Sequence, residues 1–176
     1  MLPKAFEGKR ACCFTGHRPQ GLPDGGDEMG AAYLALKHSL LHCVEEAVSC
    51  GVSTFLAGGA EGFDTLAAES VLVWKVRYYP KLRLVLALPS RTQAKGYSQD
   101  MQARYQRILS SADEVYYASQ NSNGPHAMLA RNRYLVERAD CCIAYLKNMC
   151  GGTLYTVNYA LELGLPVYNL AYGDKS

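Results

Sequence analysis

The amino-acid sequence predicts an α/β fold, a doubly wound and mostly parallel sheet with helices on both faces, built as a single domain. Apolar runs of strand length alternate along the chain with segments of helical periodicity, and that alternation specifies a parallel sheet covered on both sides. Leu82 to Leu88 is the most continuous apolar run of strand length, as expected of a strand buried on both faces. Two strand-length runs lead through Gly-rich turns, Gly58-Gly59-Ala60-Glu61-Gly62 and Cys150-Gly151-Gly152-Thr153, into helical patterns. The 176 residues are 49% hydrophobic and 19% charged, enough to bury the core of one ordinary domain, and no compositional break divides them.

The elements follow in order. Residues 1–10 are polar and read as a loose end, as do residues 171–176. Ala11 to Thr15 forms a short strand that turns out through Gly16-His17-Arg18-Pro19. Gln20 to Gly26 is a loop broken by Gly21, Pro23, Gly25 and Gly26. From Glu28 to Ser49, Leu34, Leu41, Val44 and Val48 recur at helical spacing, with Leu40 and Ala47 widening the face, and Gly51 ends the helix. Val52 to Ala57 is the second strand. The helix after it, through Trp74, is apolar around most of its circumference (Leu66, Ala67, Ala68, Val71, Leu72, Val73), so it is expected between the sheet and a neighbour. Pro89-Ser90-Arg91 leaves the third strand. Gln99 to Ser110 reads as a helix and Glu114 to Ala118 as a strand. Ser119 to Pro125 is a polar loop with the composition of a mobile lid. His126 to Arg138 is helical, Ala139 to Leu165 is a strand, Gly loop and helix, and Pro166 to Leu170 is a last strand.

In such Rossmann-like sheets, ligands sit outside the carboxyl ends of the strands where strand order reverses. Gly16-His17-Arg18, Gly58-Gly59, Ser90-Arg91 and Gly151-Gly152-Thr153 all leave such ends, so they are expected to line one rim. A Gly loop opening a helix aims unpaired backbone N–H groups and the positive end of the helix dipole at one point, which suits a phosphate. Gly152 is expected to need either positive φ or close backbone approach to that phosphate.

Charge and cysteine usage narrow the class. Eighteen basic against sixteen acidic side chains leave a net charge of +2, too little to mark an electrostatic nucleic-acid binder, so nucleic acid is not the expected partner, although a local basic patch stays open. The seven cysteines are odd in number, and Cys12-Cys13 and Cys141-Cys142 are adjacent pairs whose members point to opposite strand faces. They read as small buried residues, and with no signal peptide ahead of them a reducing cytoplasm is the expected compartment. No apolar run approaches the roughly 20 residues of a membrane span. Neither C-x-x-C nor H-E-x-x-H occurs, so no metal is expected.

Single residues carry two readings each. Arg18 is either a surface arginine or a phosphate contact. His17 reads as a hydrogen-bonded turn residue rather than a general base. Asp64 reads as a helix N-cap, with a ribose hydroxyl as its other possible partner. Cys150 reads as a merely adjacent thiol rather than a nucleophile paired with His17. Arg131 lies one turn from Met128 and Leu135 and is placed either on the outer face of its helix or inward at the rim. The G-x-G-x-x-G dinucleotide fingerprint and the G-x-x-x-x-G-K-[ST] phosphate loop are both absent.

Thr15-Gly16-His17-Arg18-Pro19, Gly58 to Glu69, Arg131-Asn132-Arg133 ahead of Ala139-Asp140, and Gly151-Gly152-Thr153 stand in an order and spacing that resembles the YpsA-like branch of the SLOG superfamily, named for the Smf/DprA and Lonely Guy proteins. The resemblance spans nearly the whole chain. It implies a Rossmann-like domain whose ligand is a nucleotide or a nucleotide derivative. The ligand-binding residues it and the rim suggest are Gly16, His17, Arg18, Gly58, Gly59, Gly62, Asp64, Ser90, Arg91, Arg131, Asn132, Gly151, Gly152 and Thr153. Lonely Guy enzymes release a base from nucleoside monophosphates with an Arg and the Glu of P-G-G-x-G-T-x-x-E. Arg131 matches the Arg, but Thr156 stands at the Glu position. Binding or sensing of a phosphate-bearing ligand is therefore the expected function. The alternatives are a hydrolase using Asp64, Glu61 or Glu69, and a DprA-like single-stranded DNA binder using Arg104, Arg107, Arg131 and Arg133. A homodimer is left open.

Overall fold

The computed structural model describes residues 4–172. Six strands, β1 (Ala11–Gly16), β2 (Thr54–Ala57), β3 (Arg83–Leu88), β4 (Glu114–Tyr117), β5 (Cys141–Tyr145) and β6 (Val167–Asn169), form one sheet in the order β4-β3-β2-β1-β5-β6. Every neighbouring pair is parallel. The helices are α1 (Ala31–Ser49), α2 (Phe63–Arg77), α3 (Gln99–Ser111), α4 (Pro125–Glu137) and α5 (Gly151–Glu162). The chain steps outward from β1 to β4, then crosses back to β5 on the other side of β1. Strand order reverses there, and the carboxyl ends of β1 and β5 flank the resulting crevice.

Two apolar clusters correspond to the two faces of the sheet. Cys12, Phe14, Phe55, Leu84, Leu86 and Ile143 pack with α1, α2 and α3, while Cys13, Leu56, Val85, Cys142 and Ala144 pack with Leu135 and Val136 of α4 and Val157 and Ala160 of α5. The period-2 alternation of strands thus divides each cysteine pair between the layers. Cys12 stands opposite Cys141 and Cys13 opposite Cys142 in the β1/β5 register. All four are free and buried, and desolvation leads in pushing the Cys12 thiol well above its ordinary range, as befits packing residues.

Several boundaries differ from those predicted. Helix α1 starts at Ala31 rather than Glu28, because the Asp24 carboxylate in the preceding loop accepts the N–H groups of Ala32 and Tyr33 at 2.9 and 3.0 Å and so acts as a remote cap. The buried stripe of α1 is Tyr33, Leu36, Leu40, Cys43, Val44 and Ala47. Leu34, expected inside, is exposed, since a helix can bury only one of two overlapping i, i+3, i+7 sets. On α2, Val73 likewise faces outward. Residues 4–10 are not a loose end: Lys4–Phe6 form a 3-10 turn, and Phe6 is fully buried with its ring 6.0 Å from that of Tyr168. Ala171 and Tyr172 close a turn, and the remaining expected loose ends, 1–3 and 173–176, lie outside the described residues.

Candidate functional site

A cavity of about 440 Å³ opens at the reversal of strand order. Thr15, Gly16, His17 and Arg18 enter it from the end of β1, Ala60 and Asp64 from the β2–α2 connection, Met128, Arg131 and Asn132 from α4, and Cys150 to Thr153 from the start of α5. Of the fourteen residues expected to bind ligand, the structure brings together Gly16, His17, Arg18, Asp64, Arg131, Asn132, Gly151, Gly152 and Thr153.

Arg131 lies at the centre of this group. It points inward from α4, only 6% exposed. Its Nη1 donates to the Gly58 carbonyl at 2.5 Å and lies 3.5 Å from Asp64 Oδ2, while its buried Nε has no partner among the described residues. Asp64 is not the cap of α2: Gly62 is, and the carboxylate reaches back to the Ala60 N–H at 3.3 Å. Burial pushes the Asp64 carboxyl up, against the pull of Arg131 and Arg18. Burial likewise lowers Arg131, against the pull of Asp64. For both partners desolvation outweighs the pairing, the electrostatic pattern common at functional sites.

Gly58 does not line the cavity. Its bare α-carbon makes room for the pair, since a Cβ there would collide with Arg131 Nη1 and lie 2.6 Å from Asp64 Oδ2. Gly62, at φ 92°, brings the start of α2 under the β1 turn, where a Cβ would stand 2.7 Å from the His17 carbonyl. His17 is a bracing residue. Its Nε2 accepts the N–H groups of Lys147 and Asn148, each at 3.0 Å, which ties the β1 turn to the loop leading into α5. With that nitrogen occupied it cannot take a proton from Cys150, which lines the cavity and is exposed.

Helix α5 begins at the cavity, and its N-cap residue, Cys150, makes no side-chain cap hydrogen bond among the described residues, so the positive end of a helix dipole opens there. Of the two reasons expected for a glycine at 152, positive φ does not apply: Gly151 has it, at 75°, and a Cβ on Gly152 would meet nothing nearer than Asn132 Nδ2 at 3.8 Å. Thr156 is buried, with its hydroxyl donating to the Gly152 carbonyl at 2.8 Å, and it does not line the cavity. Among the described residues no cluster of His, Cys, Asp or Glu is arranged to hold a metal ion.

The remaining expected residues lie elsewhere. Gly59, at φ 69°, packs where the Leu88 side chain leaves no space for a Cβ. Ser90 is buried and bonds Asn123 Oδ1 at 2.7 Å. The Arg91 guanidinium stacks 4.3 Å over the Tyr117 ring. Both follow β3, which is separated from the reversal by β2, so their loop does not reach the cavity. The loop expected as a lid is tethered, because Asn123 bonds both Ser90 and Thr92. Residues not anticipated are Gln20, Gly21, Ala60 and the apolar wall of Phe14, Met128 and Leu135. Met128 and Leu135 share the helix face of Arg131, and that spacing was the available signal for them.

The strand order defines a Rossmann-like α/β domain with a cavity at its reversal. The family model YpsA, described as the YspA SLOG family, matches residues 12–163, and the chain belongs to that family. It is 31% identical over 139 residues to the SPbeta prophage-derived protein YoqJ of Bacillus subtilis (strain 168), covering 72% of this chain and 81% of that protein. It is 28% identical over 137 residues to a UPF0398 protein of Bacillus thuringiensis (strain Al Hakam), covering 72% and 74%. Two solved structures share the fold. DNA processing protein A of Helicobacter pylori, described for its single-stranded DNA binding mode, superposes with a TM-score of 0.62 at 20% identity over 94% of this chain and 66% of that one. The Streptococcus pneumoniae protein of the same name gives 0.62 at 16% identity over 90% and 49%. This chain therefore spans about two thirds of the first and about half of the second. No helix among the described residues is long and apolar enough to cross a membrane.

Proposed function

We propose that this protein binds a phosphate-bearing, nucleotide-derived ligand in the rim cavity and acts as a binding or sensing domain. The observation that carries the reading is Arg131: a nearly buried guanidinium with an unpartnered Nε, in a cavity that also receives the uncapped start of α5. An anion there meets both a helix N-terminus and a charged donor. Asp64 offers an acceptor to ligand hydroxyls. Phe14, Met128 and Leu135 give an apolar wall for a base or another flat group.

Hydrolysis is supported less well. Of the carboxylates weighed for catalysis, Asp64 lines the cavity but is held by Arg131, Glu69 is taken by Arg104, and Glu61 faces a neighbouring cleft. Single-stranded DNA, bound by the Helicobacter protein of similar fold, is also supported less well, because the arginines weighed for it are divided between the two faces of the sheet, Arg104 and Arg107 on α3 and Arg131 and Arg133 on α4. Arg104 is clamped by Glu28 and Glu69, Arg133 bonds the Tyr155 hydroxyl, and Arg131 is buried. Titration calorimetry with AMP, ADP and a dinucleotide, each beside its phosphate-free nucleoside, tests the reading. Saturable heat from a phosphate-bearing compound and none from its nucleoside is expected, whereas heat from a single-stranded oligonucleotide alone would favour the DNA reading.

A further inference from the structure

A second cavity of about 430 Å³ lies away from the rim, along the outer surface of α2 between α1 and α3. Its apolar surface comes from Leu41, Val73, Val76 and Ile108, and Val76 is 84% exposed. Val76 thus adds an exposed branched aliphatic at the edge of the trough. Lys37, Arg77 and Arg107 stand around it, and none of the three forms an ion pair among the described residues. Glu69, the one acidic lining residue, is already neutralised by Arg104. The groove thus presents an aliphatic floor inside a ring of uncompensated positive charge.

We infer that this groove docks an acidic amphipathic helix of a partner protein, with an apolar ridge along the trough and flanking carboxylates on Lys37, Arg77 and Arg107. A helix laid in a groove with apolar anchors at i, i+3 or i+4, and i+7 is a recurring recognition mode. Opposite charge at the margin sets orientation and partner choice. The other occupants of a basic apolar surface fit less well. A bilayer is flat and does not follow a concave trough. Nucleic acid bases stack on aromatic platforms, and no aromatic side chain among the described residues lines this groove. A second copy docked groove to groove would set the same three cations against one another about a two-fold axis.

The test uses two labelled peptides of about four helical turns that share one leucine ridge and differ only in carrying Glu or Lys beside it, titrated into the full chain by fluorescence anisotropy. The Glu peptide is expected to bind and the Lys peptide not. Val76→Asp, at a position too exposed to disturb the fold, should weaken the Glu peptide at least about tenfold. Lys37→Glu combined with Arg107→Glu should transfer the preference to the Lys peptide. Failure of the Glu peptide to bind, equal binding of both peptides, or indifference to Val76→Asp would overturn the inference. Binding to phosphatidylserine vesicles in place of the peptide, or a dimer abolished by Val76→Asp, would also overturn it.

Discussion

The Arg131 guanidinium and the Asp64 carboxylate lie 3.5 Å apart, both nearly buried, and each is shifted by burial against the pull of the other. Such a pair is a poor source of stability, because desolvating two charges offsets their attraction. Removing one partner leaves the other buried and uncompensated. Asp64→Ala should therefore cost about 3 kcal/mol in urea unfolding, and Asp64→Leu combined with Arg131→Met should recover most of that loss. Additive losses in the double variant would show that the two residues act independently.

Gly152 separates folding from binding. Its α-carbon has open space around it and ordinary φ, so Gly152→Val should leave unfolding free energy within about 0.5 kcal/mol of the parent. The branched side chain would occupy the ground in front of the first N–H groups of α5, and nucleotide affinity should be lost. Unchanged affinity in the folded variant would move the phosphate away from α5.

His17 supplies a pH dependence whose sign is fixed. Burial lowers its pKa from 6.5, and protonated Nε2 could no longer accept from Lys147 and Asn148. A folded value below the unfolded one means the contribution is complete above pH 6.5 and is lost as pH falls through the folded value. Stability should drop over that interval, and His17→Ala should be less stable at neutral pH and lose this part of the pH dependence. Parallel pH profiles for parent and variant would remove His17 from the bracing role.

Release of free base from nucleoside monophosphates should be undetectable beside a Lonely Guy enzyme as control. Thr156 is buried with its hydroxyl on the Gly152 carbonyl, so Thr156→Glu would force a carboxylate into packed protein rather than supply one to the cavity, and it should destabilise without restoring turnover. A missing electrostatic group of this kind typically costs about 10² to 10³ in rate. Turnover matching the control, and lost in Arg131→Ala, would establish an enzyme.

The parallel sheet, its two covered faces and the divided cysteine pairs were legible because strand alternation and helix periodicity report which side chains face the core. The loops after β1 and β5 were legible as neighbours at one rim for the same reason that Ser90 and Arg91 were expected beside them, away from where the structure puts them. Sequence marks the carboxyl end of every strand, but it does not say which two strands flank the reversal. The roles of Gly58 and Asp64 were hidden because both depend on Arg131, which arrives from α4 only when the sheet is assembled. Phe6 went unseen because a single aromatic in a polar segment has no period, and only its packing against Tyr168 declares it.

Binding of a phosphate-bearing nucleotide derivative in the cavity around Arg131 and the start of α5 can be read from a thermal-shift panel of nucleotides, dinucleotides and their phosphate-free nucleosides. At about 100 times its dissociation constant a bound compound adds about 2.7 kcal/mol of apparent stability, a rise of several degrees for a domain of this size. At least one phosphate-bearing compound should raise the melting temperature of the parent while its nucleoside does not, and the same compound should leave Gly152→Val unmoved. A melting temperature indifferent to the whole panel, or raised equally by a nucleoside and its phosphate, would contradict the claim.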